Sequence, residues 1–465
     1  AGYDAIVLTG RAAGPSYVLV DGDSVEIRDA AHLHGANVSD VHDRLTDELS
    51  ADDKRLAILQ CGPAGERGVR FASLHADLHN VVGRTGMGAV MGGKNVRAIA
   101  VRTGKRDAVT FADPAAVKAL AAKANERLAG ADFPSTLREY GTPGVVGFQS
   151  KAGNMATHNY TSGQHPEFEK LTGQVFAPVI GAGRATCYGC IIACRKLVRA
   201  DAPFAVSDKL GGPEFETLST LGTNLDITDA VAVAKANEMC NEYGIDTITM
   251  GAMAAYCIEC SERGLVSAAN MDGKALRFGC AEDLFWLIDR IGTREGIGDV
   301  LGEGFAAAID HFGAATAAYA IHCKGQGLPA HMAQVKPSQA LMYAACPVGG
   351  DHMSSEHDWL LAGGGELYLS LGIIGKGDAR STGLPKVRMT AYSQYLYSLL
   401  DTLTLCMFVW GPGNLYTYRE IEDLVRACTG WQCTLWELMK VGERKVNMMR
   451  HVNARRGFTR NDDTL

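Results

Sequence analysis

The sequence lacks any uninterrupted apolar run that approaches the ~18 residues needed to cross a bilayer. It also lacks a block of lysine and arginine, because 45 basic and 52 acidic residues give a net charge of −7. Neither nucleic acid nor an anionic membrane surface is therefore an expected partner. The first residues carry no positively charged leader pattern, so we expect a soluble protein that acts on a small molecule.

A disulfide framework is also missing. The 13 cysteines of the 465-residue chain lie mostly in apolar, helix-like contexts, as Cys240, Cys280 and Cys428 do. This usage favours a reducing compartment over secretion, and we expect a cytoplasmic location. Isolated buried cysteines are usually small core residues, so only clustered cysteines are candidates for chemistry.

The apolar pattern changes near residue 105. Before it, short strand-like segments dominate, and one helical pattern, SDVHDRLTDEL, lies among them. The strand-like segments are DAIVLTG, the hairpin SYVLV-DGD-SVEIRDA, LAILQCG and VRAIAVRTG. From Pro114 onward helical periodicity dominates, in AAVKALAAKANERL, DAVAVAKANEMCNEYG, AEDLFWLIDRIG and EIEDLVRACTG.

These patterns predict an α+β protein with an incomplete N-terminal β-rich domain over residues 1–105, followed by two mostly α-helical domains over 106–315 and 316–465. A chain of 465 residues is long enough for two or three domains. It begins without methionine inside a strand-like segment and stops after a long helical pattern. We therefore expect both ends to be truncated.

The strongest cysteine cluster has the spacing C-x2-C-x3-C, formed by Cys187, Cys190 and Cys194 in CYGCIIACRK. Zinc sites prefer paired C-x2-C elements, and haem attachment requires a histidine directly after the second cysteine, so neither fits well. A cubane iron–sulfur cluster takes four thiolates and suits this spacing. Cys257 and Cys260 lie in a continuous helical pattern, where a cluster could hardly be wrapped, and we interpret them as core residues.

A fourth cluster ligand must come from elsewhere, and spacing alone does not choose among Cys323, Cys346, Cys406, Cys428 and Cys433. The neighbourhood of Cys406 favours it. This cysteine directly follows DTLTL (401–405), which repeats the D-T-x-T pattern of DTITM (246–250). At a helix start, Asp246 and Asp401 would be N-caps whose carboxylates form a polar socket with the free N–H groups. The alternative is two ordinary helix caps.

GRTGMGAVMGGKN, residues 83 to 95, is a glycine-rich stretch between strand-like segments. Its glycines permit a ligand to approach the backbone, and Arg84 and Lys94 can meet anionic groups. The stretch matches neither the Walker ending nor the G-x-G-x-x-G pattern. On its own it is equally well interpreted as a tight structural turn.

Taken together, these motifs resemble the aldehyde ferredoxin oxidoreductase family of tungsten, sometimes molybdenum, enzymes. The resemblance rests on GRTGMGAVMGGKNVRAIAV, CYGCIIACRK, GPEFETL (212–218), YGIDTITMG (243–251), DTLTLC (401–406) and RRGFTRNDD. These motifs follow the family's order and span nearly the whole chain. The resemblance implies a metal held by two pterin dithiolenes beside one [4Fe-4S] cluster, with the β-rich domain binding pterin.

The resemblance also implies which residues hold these cofactors. The residues that would contact the pterin cofactor are Gly83, Arg84, Thr85, Gly86, Asp246, Asp401 and Leu405. In this assignment each of the two aspartates hydrogen-bonds one pterin. The cluster ligands would be Cys187, Cys190, Cys194 and Cys406.

Glu216 of GPEFE and His352 of GGDHM match the family's active-site carboxylate and imidazole. Hydrogen-bonded Glu and His side chains can handle the protons of aldehyde oxidation. The alternatives are a helix-surface glutamate and a capping histidine. The implied activity is oxidation of aldehydes to carboxylic acids, with electrons passing through the cluster to ferredoxin or an iron–sulfur partner subunit. A homodimer is compatible with the family, but no E-x-x-H precedes YGID, so a metal-bridged dimer is not expected.

The sequence departs from the family pattern at three places. PAHMAQVKPS stands where many aldehyde-oxidising members read PAYDPRG, which puts His331 and Lys336 in the region that shapes the substrate pocket. Val348 replaces a basic residue, and Thr404 replaces the glycine of D-x-x-G-L-C. Two alternatives therefore stay open: a family member with another low-potential reaction, such as reduction of an aromatic thioester, and an iron–sulfur electron-transfer subunit without pterin.

Overall fold

The first hundred residues form a six-stranded sheet in the computed structural model, which describes residues 3–49, 55–103, 109–359, 369–373, 378–411 and 415–465. The strands are β1 Ser16–Asp21, β2 Ser24–Asp29, β3 Arg55–Cys61, β4 Leu74–Ala76, β5 Asn80–Val82 and β6 Val96–Thr103. They lie in the order β2-β1-β6-β3-β4-β5, and every neighbouring pair is antiparallel except β1 and β6. The predicted hairpin and the strands of LAILQCG and VRAIAVRTG are confirmed.

Three helices accompany the sheet: α1 Val38–Leu49, α2 Pro63–Glu66 and α3 Met87–Gly93. Successive side chains of a strand point to opposite faces, and both faces are covered here. Tyr17 and Leu19 of β1 pack in one cluster with Leu45 of α1. Val18 of β1 packs on the other face, in a cluster with Met91 of α3. Strand β1 is therefore buried on both sides, which explains its continuous apolar run, whereas the edge strand β2 is exposed.

The prediction of a strand in DAIVLTG is wrong. The chain before β1 contains no strand in the described residues 3–15. Val7 is 81% exposed and Ile6 is 45% exposed. The strand that follows, β1, already has β2 and β6 as its two neighbours, so this apolar segment cannot pair with β1.

The rest of the described chain is mainly helical, and the α+β class is confirmed. The helices are α4 Pro114–Leu128, α5 Asp132–Tyr140, α6 Val146–Lys151, α7 Gly173–Ile180, α8 Phe215–Thr217, α9 Ala230–Tyr243, α10 Thr247–Glu262, α11 Ala281–Thr293, α12 Ile297–Gly302, α13 Phe305–Phe312, α14 Pro337–Ala345, α15 Leu384–Thr402, α16 Met407–Trp410, α17 Arg419–Thr429 and α18 Leu435–Arg455. Two small hairpins interrupt them, β7 Gly181–Ala185 with β8 Arg195–Val198, and β9 His322–Cys323 with β10 Gln326–Gly327.

Helix α10 lies in the largest core cluster. Its side chains are buried without interruption from Ile248 to Cys260, as expected for a helix that is apolar all round. Cys257 and Cys260 are both fully buried inside this helix, so their interpretation as core residues is confirmed. A second core cluster joins α4, α15, α17 and α18, and the partly buried Cys190, Cys194 and Leu405 pack against it.

No helix in the described ranges is both long and apolar enough to span a membrane. The predicted domain boundary at residue 315 falls in the 3-10 turn Ala314–Tyr319, between α13 and β9. This boundary stays a prediction.

Candidate active site

Asp246 caps the first turn of α10. Its Oδ1 accepts the N–H of Ile248 at 3.0 Å, and its Oδ2 accepts the N–H of Thr249 at 3.2 Å. The hydroxyl of Thr249 donates to the same Oδ2 at 2.6 Å. The N-cap predicted at this position is confirmed, and the buried carboxylate with its N–H donors forms the predicted polar socket.

Arg84 connects the N-terminal sheet region to this cap. Its Nε lies 3.3 Å from Oδ2 of Asp246, and its other nitrogens donate to the carbonyls of Gly327 and Gly350. The N–H of the next residue, Thr85, donates to Oε1 of Gln326 at 3.1 Å. One guanidinium thus holds together three segments that are far apart in sequence.

The glycine-rich stretch is only partly a loop, since its residues from Met87 form helix α3. Gly86 has a left-handed φ of 69°, and a Cβ added there would lie 2.1 Å from the carbonyl oxygen of Arg70. Protein packing therefore requires this glycine. At Gly83 the nearest atom to an added Cβ would be 3.9 Å away, so this position leaves room beside the backbone.

The prediction that Asp401 caps a helix start is wrong. Asp401 lies in the last turn of α15, which ends at Thr402. The free backbone groups at that end are carbonyls, which do not stabilise a carboxylate as free N–H groups do. The Asp401 side chain is 67% exposed and pairs with Lys445 at 3.0 Å. The repeated letters D-T-x-T therefore occupy opposite ends of two helices.

Thr404, Leu405 and Cys406 link the end of α15 to α16. Thr404 has a left-handed φ of 56°, a conformation that glycine adopts without strain. The left-handed backbone explains why a glycine is expected at this position. Threonine adopts the same conformation here at the cost of backbone strain. Leu405 donates its N–H to the carbonyl of Leu400 at 2.8 Å, and Cys406 is the exposed N-cap residue of α16.

The cysteine triplet lies in the loop between β7 and β8. A turn brings the N–H of Cys190 to the carbonyl of Cys187 at 3.1 Å, and left-handed residues Gly189 and Ala193 reverse the chain within the loop. Burial raises the pKa of the Cys194 thiol to about 12, with Glu214 and Cys406 adding to the rise.

Cys406 lies close enough to the triplet for Cys190 and Cys187 to affect the pKa of its thiol. Although Cys406 as a whole residue is exposed, the protein atoms around its sulfur desolvate the thiol and raise its pKa, and Cys190 and Cys187 add to the rise. Within the described ranges, no three His, Cys, Asp or Glu side chains converge tightly enough to hold a single metal ion. A cubane cluster takes four thiolates, and the assignment of these four cysteines to it stays a prediction.

Glu216 lies in the short helix α8, which a π-helical turn, Leu218–Gly222, follows. Such turns occur frequently at functional sites. Its Oε2 accepts the N–H of Ala330 at 2.7 Å. Its Oε1 is buried and has no hydrogen-bond partner among the described residues, 3.4 Å from Nε2 of His331 and 3.6 Å from Nε2 of His352. The structure thus places Glu216 in the interior between two imidazoles, rather than on a helix surface.

The Glu216 pocket and the Asp246 socket are neighbours. The residues that follow each carboxylate in the sequence, Thr217 and Thr247, share a hydroxyl–hydroxyl hydrogen bond of 2.9 Å. Tyr160 lies between the two sites: burial raises its pKa above the ordinary range, Glu216 and Asp246 raise it further, and Arg84 opposes them. Glu216 and the Asp246 socket therefore lie close together in the interior.

Sequence reasoning missed three residues of this region. Tyr160 donates its hydroxyl to the carbonyl of Leu328, and Tyr343 donates to the carbonyl of His331 at 3.1 Å. His357 packs edge-on against His331, with ring centroids 4.6 Å apart. The one signal for His357 was its position five residues after His352 in DHMSSEH, whereas the tyrosines come from distant segments.

A cavity of about 900 Å³ reaches this region, and its lining includes Tyr160, Leu328 and His331. The same cavity is bordered by the ion pair of Arg263 and Glu259, whose atoms are 2.8 Å apart. Its volume lies in the range of small-molecule sites, about 300–1,000 Å³. A substrate-sized space therefore ends at the imidazole that faces Glu216.

The chain is similar to proteins of one family over almost its whole length. It matches the aldehyde ferredoxin oxidoreductase N-terminal domain over residues 1–103 and aldehyde ferredoxin oxidoreductase domains 2 and 3 over 119–465. It is 32% identical over 475 aligned residues to the tungsten-containing aldehyde ferredoxin oxidoreductase of Pyrococcus furiosus, covering 100% of this chain and 74% of that protein.

Further relatives differ in their stated reaction. The tungsten-containing aldehyde ferredoxin oxidoreductase of Pyrococcus abyssi is 33% identical, with 100% of this chain and 74% of that protein covered. An aliphatic sulfonate oxidoreductase, WOR-like subunit, of Pyrococcus furiosus is 27% identical over 97% of this chain and 69% of that protein. The fold resembles the active site complex BamBC of benzoyl coenzyme A reductase, with a TM-score of 0.80, 20% identity and coverage of 98% of this chain and 74% of that one. The chain belongs to the aldehyde ferredoxin oxidoreductase family.

Proposed function

We propose that this protein oxidises aldehydes to carboxylic acids on a tungsten or molybdenum bis-pterin cofactor and passes the electrons through a [4Fe-4S] cluster to ferredoxin or an iron–sulfur partner subunit. The observation that carries the proposal is the buried, unpartnered Oε1 of Glu216 between the imidazoles of His331 and His352. This group adjoins the Arg84–Asp246 socket. The membership of the chain in an aldehyde-oxidising family supports the same reaction.

The donor groups of the chain fit both cofactors. Arg84, Thr85, Asp246 and the open backbone at Gly83 would hold the pterin cofactor, and the resemblance adds Asp401 and Leu405, although the Asp401 carboxylate here is exposed and paired with Lys445. Cys187, Cys190, Cys194 and Cys406 would hold the cluster, because their thiols come from a turn-rich loop and one nearby segment. When bound, the metal cofactor supplies a two-electron sink and the cluster supplies one-electron steps.

The chain's own part in the reaction is the handling of water and protons. Oxidation of one aldehyde with one water gives a carboxylic acid, two protons and two electrons. The Glu216 carboxylate, fixed through Oε2 by the Ala330 N–H, can accept a proton on its free Oε1. His352 Nε2, 3.6 Å from the same oxygen, can accept the next or orient the carbonyl. Burial of the site excludes bulk water from this exchange.

Anaerobic assays on the purified protein test this proposal. With aliphatic and aromatic aldehydes and ferredoxin as acceptor, we expect one carboxylate formed for every two electrons transferred. Glu216→Gln keeps an acceptor for the Ala330 N–H but removes the base, and we expect kcat to fall by about 10²–10⁴. Glu238→Gln is the matched control, because Glu238 is also buried but lies in α9 and contacts Ser207 and Lys235.

The same assays separate the alternative functions. Turnover of an aromatic thioester without any aldehyde activity would replace aldehyde oxidation by another reaction of the same family. Iron and sulfide without tungsten or molybdenum, in protein from a pterin-producing host, would indicate an electron carrier. For the location we propose the cytoplasm, because no disulfide joins any of the cysteines, all of which lie in the described residues, as suits a reducing compartment.

A further inference from the structure

We propose that Lys336 is a positioning residue for proton transfer, which keeps the imidazoles of His331 and His357 oriented and neutral, with Nε2 of His331 on the side of Glu216. This inference rests on the proposed function. Lys336 Nζ lies 3.2 Å from Nδ1 of His331 and 2.8 Å from Nδ1 of His357. A single amine thus contacts the same ring atom of two histidines.

The surroundings of His331 determine which ring nitrogen carries its proton. The Oδ1 of Asn154 accepts the N–H of Met332 at 2.9 Å, and a backbone N–H can only donate. The amide nitrogen of Asn154 must therefore face His331, where it donates to Nδ1 at 2.8 Å. Because Nδ1 accepts, the proton of a neutral ring lies on Nε2. This nitrogen lies 3.4 Å from Glu216 Oε1 without forming a hydrogen bond to it among the described residues.

His357 is fixed by the same reasoning. Its Nε2 lies 3.0 Å from the backbone carbonyl oxygen of His352, which can only accept, so Nε2 carries the proton. Its Nδ1 is then free to accept from Lys336. The hydrogen bond from His357 to His352 ties the position of the second proposed proton acceptor to the same lysine.

Lys336 can serve both rings in either protonation state. A neutral amine still has two N–H donors, one for each Nδ1. Burial lowers the pKa of Lys336 to about 7, although Asp358, Glu216 and Glu356 oppose the shift. The Lys336 Nζ also lies 5.5 Å from the centre of the Trp359 ring. Asp358 is paired with a second buried lysine, Lys386, at 2.7 Å.

The positive charge of Lys336 also discourages protonation of its neighbours. Burial lowers the pKa of His331 well below its ordinary value, and Lys336, His357 and His352 lower it further. The pKa of His357 is lowered well below its ordinary value by burial first and then by Lys336. Neutral imidazoles with their protons on Nε2 leave the Glu216 carboxylate able to accept a proton. A cationic His331 would instead pair with that carboxylate and oppose its protonation.

The test compares Lys336→Met, which keeps the length of the side chain but removes every donor, with the unchanged protein. We expect kcat for aldehyde oxidation to fall by about 10- to 100-fold, the range for residues that orient reacting groups, with KM within about 3-fold. The acidic limb of the kcat/KM profile should move upward by about one pH unit, because His331 then protonates more readily.

Lys274→Met is the control. Lys274 is another lysine with a buried partner, the carboxylate of Asp283 at 2.9 Å, and it contacts none of these histidines. We expect it to leave kcat and the pH profile within about 2-fold of the unchanged protein, the scale of a surface change. A Lys336→Met protein that is folded by circular dichroism but has unchanged kcat and an unchanged acidic limb would overturn the proposal.

A second readout does not depend on turnover. Long-range proton–nitrogen correlation spectra of protein labelled with ¹⁵N-histidine report which ring nitrogen is protonated, and His331→Gln and His357→Gln identify the two resonances. We expect Nε2–H tautomers for both rings at neutral pH in both proteins, and protonation of the second ring nitrogen at a higher pH in Lys336→Met than in the unchanged protein. Protonation of the two rings at the same pH in both proteins would overturn the positioning role, whereas the spectra as expected without aldehyde turnover would overturn only the proposed reaction.

Discussion

The guanidinium of Arg84 lies 3.3 Å from the carboxylate of Asp246, although the two residues belong to different parts of the chain. Arg84 follows the last short strand of the N-terminal sheet region, and Asp246 caps the central helix α10. This contact places a positive group, a helix N-terminus and an open glycine backbone at one place. Such a combination suits an anionic ligand.

Asp246→Ala should lower both stability and cofactor content. It removes an N-cap, a loss of about 1–2 kcal/mol, and leaves the largely buried Arg84 unpaired, for a total of about 3 kcal/mol. Tungsten or molybdenum content should fall with it. Asp229→Ala is the control, because Asp229 caps α9 in the same way without an arginine partner, and it should lose about 1 kcal/mol while keeping the metal. Equal metal content in both variants would contradict the socket.

Cys406→Ser should lose most of the protein's iron and sulfide and the visible absorption of the cluster. A serine hydroxyl is a much poorer ligand for iron than a thiolate, and a cubane needs four ligands. Cys257→Ser is the matched control in the fully buried helix α10. Iron and absorbance should stay unchanged in the control. Full iron content in Cys406→Ser would show that another residue is the fourth ligand.

The ion pair of Glu420 with Arg127 should make stability dependent on pH. Although burial raises the pKa of Glu420, hydrogen bonds from Arg127, the Thr417 N–H and Lys123 outweigh it and bring the pKa to about 2. The lowered pKa stabilises the folded protein above about pH 5, and this contribution is lost as pH falls towards 2.

Glu420→Gln should therefore lower the free energy of unfolding at pH 7 by about 2 kcal/mol, and the difference should shrink at pH 3. Urea titrations at the two pH values measure it. Glu443→Gln removes the exposed pair with Lys440 and should change stability by less than about 0.5 kcal/mol. A difference for Glu420→Gln that does not depend on pH would contradict the assignment.

Thr404→Gly should stabilise the protein by about 0.5–1 kcal/mol, because glycine adopts the left-handed conformation of this residue without strain. Thr402→Gly, two residues earlier and still in α15, should instead destabilise by about 0.5–1 kcal/mol. Thermal unfolding of the two variants shows whether the shifts have opposite signs. A loss of stability in Thr404→Gly would mean that the threonine side chain contributes more than its backbone strain.

Local pattern was sufficient for much of the fold. The hairpin of β1 and β2 and the helices α4, α9, α11 and α17 follow from apolar periodicity and flanking turn residues, because neighbours in sequence determine them. The prediction of a strand in DAIVLTG was wrong. A strand needs another strand to pair with, and the local sequence pattern does not show whether one is present. The N-cap at Asp246 was correct, whereas at Asp401 the identical D-T-x-T letters stand at the other end of a helix.

The site was less accessible to sequence reasoning. Glu216 and His352 were matched through the family motifs, and His331 and Lys336 were noticed only as a departure from them. Their arrangement around one carboxylate oxygen depends on contacts between α8 and the segments on both sides of α14, and no spacing rule encodes such contacts. Tyr160 and His357 were missed for the same reason.

The most direct test of the account is the metal content of the protein purified from a host that makes the pterin cofactor. Tungsten, molybdenum and iron are measured together by elemental analysis. The account predicts about four iron atoms for each tungsten or molybdenum atom. Iron without either metal would contradict it, and would make the protein an electron carrier rather than a catalyst.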